Sequence, residues 1–183
     1  MLFRSSMFGM NIKETVRVFE MKQRYLSLIH NAKKELTILM AYFSPVKEIL
    51  DAIRDAMRRG VKVTVMIPKK ANVSDDITHK TMSILFRHAM ETNADFTVYL
   101  HPGMPHTKLL MNESEISLGS CNITRNAFGD LSELNYFAAN DDSQFAIDVR
   151  ESAAALLGEC ERAKSLDDLS CSPLRAAMEG ITL

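Results

Sequence analysis

His106-Thr107-Lys108-Leu109-Leu110-Met111-Asn112-Glu113-Ser114-Glu115-Ile116-Ser117-Leu118-Gly119-Ser120-Cys121-Asn122 is the stretch that decides how this chain folds. Its two apolar runs, Lys108 to Asn112 and Glu115 to Gly119, predict an antiparallel pair of strands joined near Asn112-Glu113. Side chains alternate along a strand, so His106 and Lys108, two residues apart, share one face of the sheet. Gly119-Ser120-Cys121-Asn122 then offers a tight turn with small donors close by. Imidazole, ammonium, hydroxyl and amide are donors or can become donors, whereas a phosphate offers only acceptors. The pattern predicts a site for a tetrahedral anion, and among such anions a phosphodiester.

Outward from that stretch, strands and helices alternate. Asn11-Ile12-Lys13-Glu14 has the form of a capping box opening a helix to about Ala32, with Val16, Phe19, Tyr25, Leu26 and Ile29 as its buried stripe. Glu35 to Tyr42 reads as a buried strand halted by Ser44-Pro45. Val46 to Arg59 is an amphipathic helix with Ile49, Leu50, Ile53 and Met57 inward and Gly60 as its stop. Val61 to Ile67 is a strand. Ser74 to about Thr92 is a helix with Ile77, Met82, Leu85 and Met90 near one side, and Asp95 to Leu100 is the next strand. Leu134 to Ala138 adds another strand, and a helix from about Asp142 to Lys164 covers the sheet behind an Asp141-Asp142-Ser143 start. Beyond Leu166 a short helix is expected. The expected fold is α/β, a mixed sheet with helices on both faces, parallel through the first hundred residues and antiparallel after them.

At 183 residues the chain is read as a single domain, with its core at about residues 12–165 and extensions at both ends. Its 46% apolar and 25% charged residues are ordinary for a globular protein. No apolar run is long enough to span a bilayer, and the first eight residues lack a signal-peptide pattern. Three cysteines without metal-ligand spacing fit reduced thiols, so a cytoplasmic location is expected, with peripheral contact at a membrane left open. The net charge of −1 gives no push toward nucleic acid. It is nevertheless uneven: residues 1–88 carry 16 Lys+Arg against 8 Asp+Glu, and the remainder 6 against 15. The basic front half could face an anionic ligand or consist simply of solvated helix faces.

His106-Thr107-Lys108, four residues, an acidic residue and a nearby Gly119-Ser120-x-Asn122 resemble the signature of the phospholipase D superfamily: His-x-Lys, four residues, Asp, then Gly-Ser-x-Asn. Upstream, Tyr42-Phe43-x-Pro45, the helix closing on Arg59-Gly60-Val61-x-Val63, the strand ending at Pro68 and His101-Pro102-Gly103-Met104-Pro105 resemble cardiolipin-synthase-like members. Glu113 stands where that pattern has Asp, and the gap from Glu113 to Gly119 is one residue shorter.

The resemblance implies a phosphohistidine intermediate formed by His106, for which a neutral imidazole is a competent nucleophile. The competing reading is a core histidine with satisfied hydrogen bonds. Lys108 would stabilise the phosphoryl oxygens as they gain charge; otherwise it is a strand lysine pointing at solvent. Asn122 and Ser120, with Gly119 making the turn, would add neutral donors, although turn chemistry alone accounts for Ser120 equally well. A histidine nucleophile needs its second nitrogen anchored by a carboxylate. Glu133 resembles the family's downstream glutamate and is expected in that role, with Glu113 structural in a turn near the site. His101 is placed at the site mouth as a substrate contact or a loop histidine. His30, His79 and His88 are expected at surface or boundary positions.

No metal or organic cofactor is required by this chemistry. Protonating the leaving alcohol needs an acid, which the resemblance assigns to a second copy of the motif. This chain has one, so a homodimer or a missing first half carrying the second motif is expected. The implied function is phosphodiesterase or phosphatidyltransferase chemistry on a phospholipid. The alternatives are a single-motif endonuclease of the same superfamily and an inactive phosphate-binding module.

Overall fold

A computed structural model describes residues 18–73, 75–129, 132–172 and Met178. The capping box at Asn11 and the side chains of Val16 and Phe19 lie outside the described residues. Helix α1 (Val18–Asn31) leads into strand β1 (Glu35–Met40) and the two-residue β2 (Phe43–Ser44). Then come α2 (Lys47–Arg58), β3 (Lys62–Pro68), α3 (Asp75–Thr92) and β4 (Phe96–His101). The second half holds β5 (Lys108–Asn112), β6 (Glu115–Gly119), β7 (Ile123–Thr124), α4 (Arg125–Gly129), β8 (Asn135–Ala139), α5 (Gln144–Gly158) and β9 (Glu161–Arg162). A 3-10 turn, Asp167–Leu169, stands where a short helix is expected.

Seven strands form one sheet in the order β8-β6-β5-β1-β3-β4-β9. The pairs β1–β3 and β3–β4 are parallel; β1–β5, β5–β6, β6–β8 and β4–β9 are antiparallel. This is the mixed α/β sheet that the alternation of elements predicts. Helices α1 to α4 bury one face around Tyr25, Leu28, Ile38, Ile53, Val65 and Leu110. The other face packs Leu39, Met66, Leu109 and Ile116 against Ala146, Val149 and Ala153 of α5. Gly60, at φ +83°, ends the α2 region in the left-handed conformation that a side chain resists.

Several boundaries differ from the sequence reading. β1 stops at Met40, because the chain leaves the sheet at Ala41 and Phe43–Ser44 pairs instead with Ile123–Thr124. In α1 the buried positions are Met21, Tyr25, Leu28 and Ile29, whereas Leu26 is only partly covered. In α3 the buried face is set by Thr78, Met82, Leu85 and Ala89, leaving Met90 exposed. His79 lies on that buried face rather than at the surface, with Nε2 3.7 Å from Asp75 Oδ1. The last helix ends at Gly158, not Lys164. Beyond it Glu161 and Arg162 pair with Leu100 and Tyr99, covering the free edge of β4.

Candidate functional site

The site forms at one end of the sheet. Lys108, the first residue of β5, stands opposite Met40, the last of β1, and Ala41 N donates to Thr107 O at 3.1 Å. That extra rung carries β5 back far enough to hold His106 beside the Ala41-Tyr42 bend. The Tyr42 ring meets the His106 ring edge-on at 6.4 Å between centroids, and Tyr42 Oη donates to Asn72 Oδ1 at 2.7 Å.

Lys108 is 3% exposed. Its Nζ lies 2.8 Å from His106 Nδ1 and donates to His106 O at 2.9 Å. The two residues predicted to share a face are thus brought into contact. Desolvation lowers the Lys108 pKa, and the charge of Glu133 partly offsets that. Among the described residues no carboxylate forms an ion pair with Lys108. The contact occupies Nδ1, and among the described residues no hydrogen bond is made by His106 Nε2.

Asn122 sits across the bend. Its Oδ1 accepts from Tyr42 N at 3.3 Å, so the side chain is oriented with its amide nitrogen as the remaining donor. Ser120 makes the turn contacts that are one of its two expected uses. Its hydroxyl donates to Glu133 Oε2 and accepts from Leu134 N at 2.9 Å, while its own N–H donates to Leu134 O at 3.0 Å. The Ser120 hydroxyl therefore locks β6 to the start of β8. Gly119 is needed sterically: a Cβ there would stand 2.6 Å from Asn135 Cα and closer still to Leu134 O.

Glu133 is not hydrogen-bonded to His106 among the described residues. Its carboxylate holds Ser120 and acts on Lys108 through space. His101 is not at the site, because β1 and β3 intervene between β5 and β4. Three strand spacings put it about 14 Å across the sheet. There its Nδ1 accepts from Gly103 N at 3.0 Å and its Nε2 lies 3.4 Å from Glu159 Oε2.

Glu113 is structural but lies at the other end of β5, about 17 Å from Lys108 along the strand. Its carboxylate accepts from Lys33 N at 2.8 Å, Lys34 N at 3.3 Å and Glu35 N at 3.4 Å. Desolvation opposes its ionisation, but these backbone donors prevail and lower its pKa. Among the described residues no group of three or more His, Cys, Asp or Glu is arranged to hold a metal ion.

One residue that sequence reasoning did not single out underlies the whole turn. Asn135 is buried, and its Oδ1 accepts from Cys121 N at 3.0 Å. Its Nδ2 donates to Tyr25 Oη at 2.8 Å and Ser117 Oγ at 2.9 Å, and Tyr25 Oη donates in turn to Cys121 O at 2.9 Å. Both backbone polar groups of Cys121, between Ser120 and Asn122, are thereby fixed from α1 and β8. Burial, and after it the Glu133 charge, push the Cys121 thiol up to about 12, which leaves it inert. The signal was a polar residue at an inward position of Glu133-Leu134-Asn135-Tyr136-Phe137.

A protein-family model described as "Cardiolipin synthase, PLD-like domain" matches residues 25–157. Curated relatives include a cardiolipin synthase of Clostridium perfringens, 29% identical over 166 residues, which cover 85% of this chain and 34% of that protein. The major cardiolipin synthase ClsA of Bacillus subtilis is 33% identical over 120 residues, covering 64% of this chain and 24% of its own length. The chain thus spans about a third or less of the length of these relatives.

Among solved structures, the phospholipase D family member Nuc from Salmonella typhimurium superposes with a TM-score of 0.62 at 21% identity, covering 79% of this chain and 91% of that one. Phosphatidylserine synthase from Haemophilus influenzae gives 0.69 at 14% identity, covering 88% and 42%. The structural likenesses bear on fold alone, while the family match spans most of the sequence. The chain belongs to the phospholipase D superfamily, in the family of cardiolipin-synthase PLD-like domains.

Proposed function

We propose that this chain supplies one half of a phosphodiesterase or phosphatidyltransferase site that acts on phospholipids through His106. Members of the superfamily are phosphodiesterases and transferases. The observation that carries the reading is a lysine 3% exposed, without a described ion-pair partner, in contact with an imidazole whose Nε2 is open. A buried ammonium without an anion in contact is costly, the charge of Glu133 offsets that only in part, and a phosphodiester would supply the contacting anion.

While Lys108 donates to Nδ1, a neutral ring carries its proton on Nε2 and is not yet a nucleophile there. A phosphate drawing Lys108 onto its oxygens frees Nδ1 to take that proton and leaves the Nε2 lone pair facing phosphorus. Nε2 then attacks, a P–N bond forms, and the P–O bond to the leaving alcohol breaks. The departing alkoxide takes a proton from a second imidazole acting as acid. Water or an acceptor alcohol returns that proton to the second imidazole as it attacks phosphorus. The P–N bond breaks, giving a phosphate monoester or a new diester. Lys108 and the Asn122 amide stabilise the oxygens that gain charge.

The second imidazole comes from His106 of a partner copy or from another half of a longer polypeptide, and the lengths of the relatives fit both. A lipid substrate also implies peripheral membrane contact. Among the described residues no helix is long and apolar enough to cross a bilayer. Phosphatidylglycerol vesicles and single-stranded DNA, offered in parallel, test the substrate class. Turnover of DNA without lipid would replace this reading with a nuclease. Co-refolding wild type with His106→Ala then tests the shared site: activity should follow the square of the wild-type fraction. A straight line means independent sites.

A further inference from the structure

A cavity of about 250 Å³ lies between the sheet and α5. Its walls are Leu39, Leu109 and Leu118 from three adjacent strands and Val149, Ala153 and Leu156 from the helix. Register aligns the three strand leucines in one row, Leu39 opposite Leu109 and Leu109 opposite Leu118. The next position along β5, opposite Met40, is Lys108. The cavity therefore begins one residue, about 3.4 Å along the strand, from the catalytic end. Thr107, between His106 and Lys108, completes its wall there. Because side chains alternate, Thr107 and Leu109 face the cavity while His106 and Lys108 face the opposite side. The cavity and the anion site straddle the same end of β5.

The rim of the cavity is apolar too. Phe145 is 38% exposed and meets Tyr136, 42% exposed, edge-on at 5.3 Å. Leu134, 77% exposed, immediately precedes Asn135, the first residue of β8, at the same end of the sheet as Lys108. Exposed large apolar residues scattered singly need no explanation, but the contacting Tyr136–Phe145 pair at the cavity rim is not such a case.

We propose that this cavity is an acyl-chain site, which takes part of the aliphatic tail of a lipid whose phosphate lies against His106 and Lys108. The inference rests on the phosphodiester reading of the site and names the substrate class within it. The volume exceeds the roughly 150 Å³ of an engineered apolar cavity that admits benzene. A nucleoside would bring several polar edges into the cavity. The polar side chains available to meet them are Thr107 at one end and Asp148 and Ser152 at the solvent side. A hydrocarbon chain needs no polar partner and gains from each methylene removed from water.

Calorimetric titration of the full chain with ethyl, butyl, hexyl, octyl and decyl phosphate, each below its micelle concentration, tests this. Affinity should rise about fourfold per buried methylene until the cavity is filled, then level off. Ser152→Phe, which closes the mouth from an exposed position, and Ala153→Leu, which fills the space from a buried one, should each flatten the rise. The exposed variant keeps the test interpretable should the buried one disturb folding. Lys108→Met should weaken every ligand by the same factor and leave the slope. Equal affinity across the series in wild type, or an undiminished slope in Ser152→Phe, overturns the acyl-chain site. A slope that survives with no effect of Lys108→Met supports the hydrocarbon site but overturns the phosphate reading beneath it.

Discussion

Lys108 Nζ rests 2.8 Å from His106 Nδ1 at the end of the sheet where β1 and β6 stop and β5 and β8 start. The contact joins a buried cation to the imidazole that the proposed mechanism uses as nucleophile. On that proposal a phosphate would compete with the imidazole for the same ammonium, so that anion binding and nucleophile activation would be one event.

Burial of Lys108 should cost stability. Its folded pKa is lowered, so between that value and the ordinary lysine value the unfolded chain holds the proton and the folded protein does not. Stability therefore rises with pH through that window, and the penalty is fully present below it. Lys108→Met should stabilise the fold by about 1 kcal/mol at neutral pH while abolishing turnover. The stability gap between the two proteins should narrow toward about pH 10.4, the ordinary lysine value. Urea unfolding at several pH values measures this; a mutant less stable at every pH would contradict it.

Glu133 raises the Lys108 pKa by its charge. Removing that charge in Glu133→Gln should let Lys108 lose its proton at lower pH, moving the alkaline limb of the pH–rate profile downward. A carboxylate that anchored the His106 ring would instead lower kcat across the whole profile. The shape of the profile separates the two roles.

Asn135→Ala removes three hydrogen bonds from a buried network and strips Cys121 N of its partner. We expect a loss of about 2 to 3 kcal/mol in unfolding free energy. Turnover should fall through kcat, since Asn122 would no longer be held against Tyr42. Wild-type kcat in a folded Asn135→Ala protein would show that the turn is held without this residue.

Glu113→Gln should weaken three backbone contacts at the opposite end of the sheet and cost about 1 to 2 kcal/mol. Its depressed folded pKa means the wild-type advantage is complete above the ordinary glutamate value and is lost as pH falls through the folded value. Thermal melts from pH 7 downward should show the two proteins converging, with turnover at neutral pH alike in both.

What the sequence determined by itself is local and periodic. A period of two placed His106 and Lys108 on one face, and apolar runs of strand length flanked by amphipathic helices implied the mixed sheet. Gly60 ended its helix region because only a glycine takes that backbone conformation without strain. The tertiary structure decided what depends on which strands become neighbours. Strand order put His101 three strands away from the motif that it precedes by only five residues in sequence. The pairing of β6 with β8 brought Glu133 to Ser120. Glu113, only five residues from Lys108, went to the far end of the sheet because a strand carries its two ends apart. Asn135 became the anchor of the turn because β8 closes the sheet beside β6 and α1 brings Tyr25 over it. No spacing encodes these contacts. They follow from packing two sheet faces against helices, which fixes neighbours that the chain order does not.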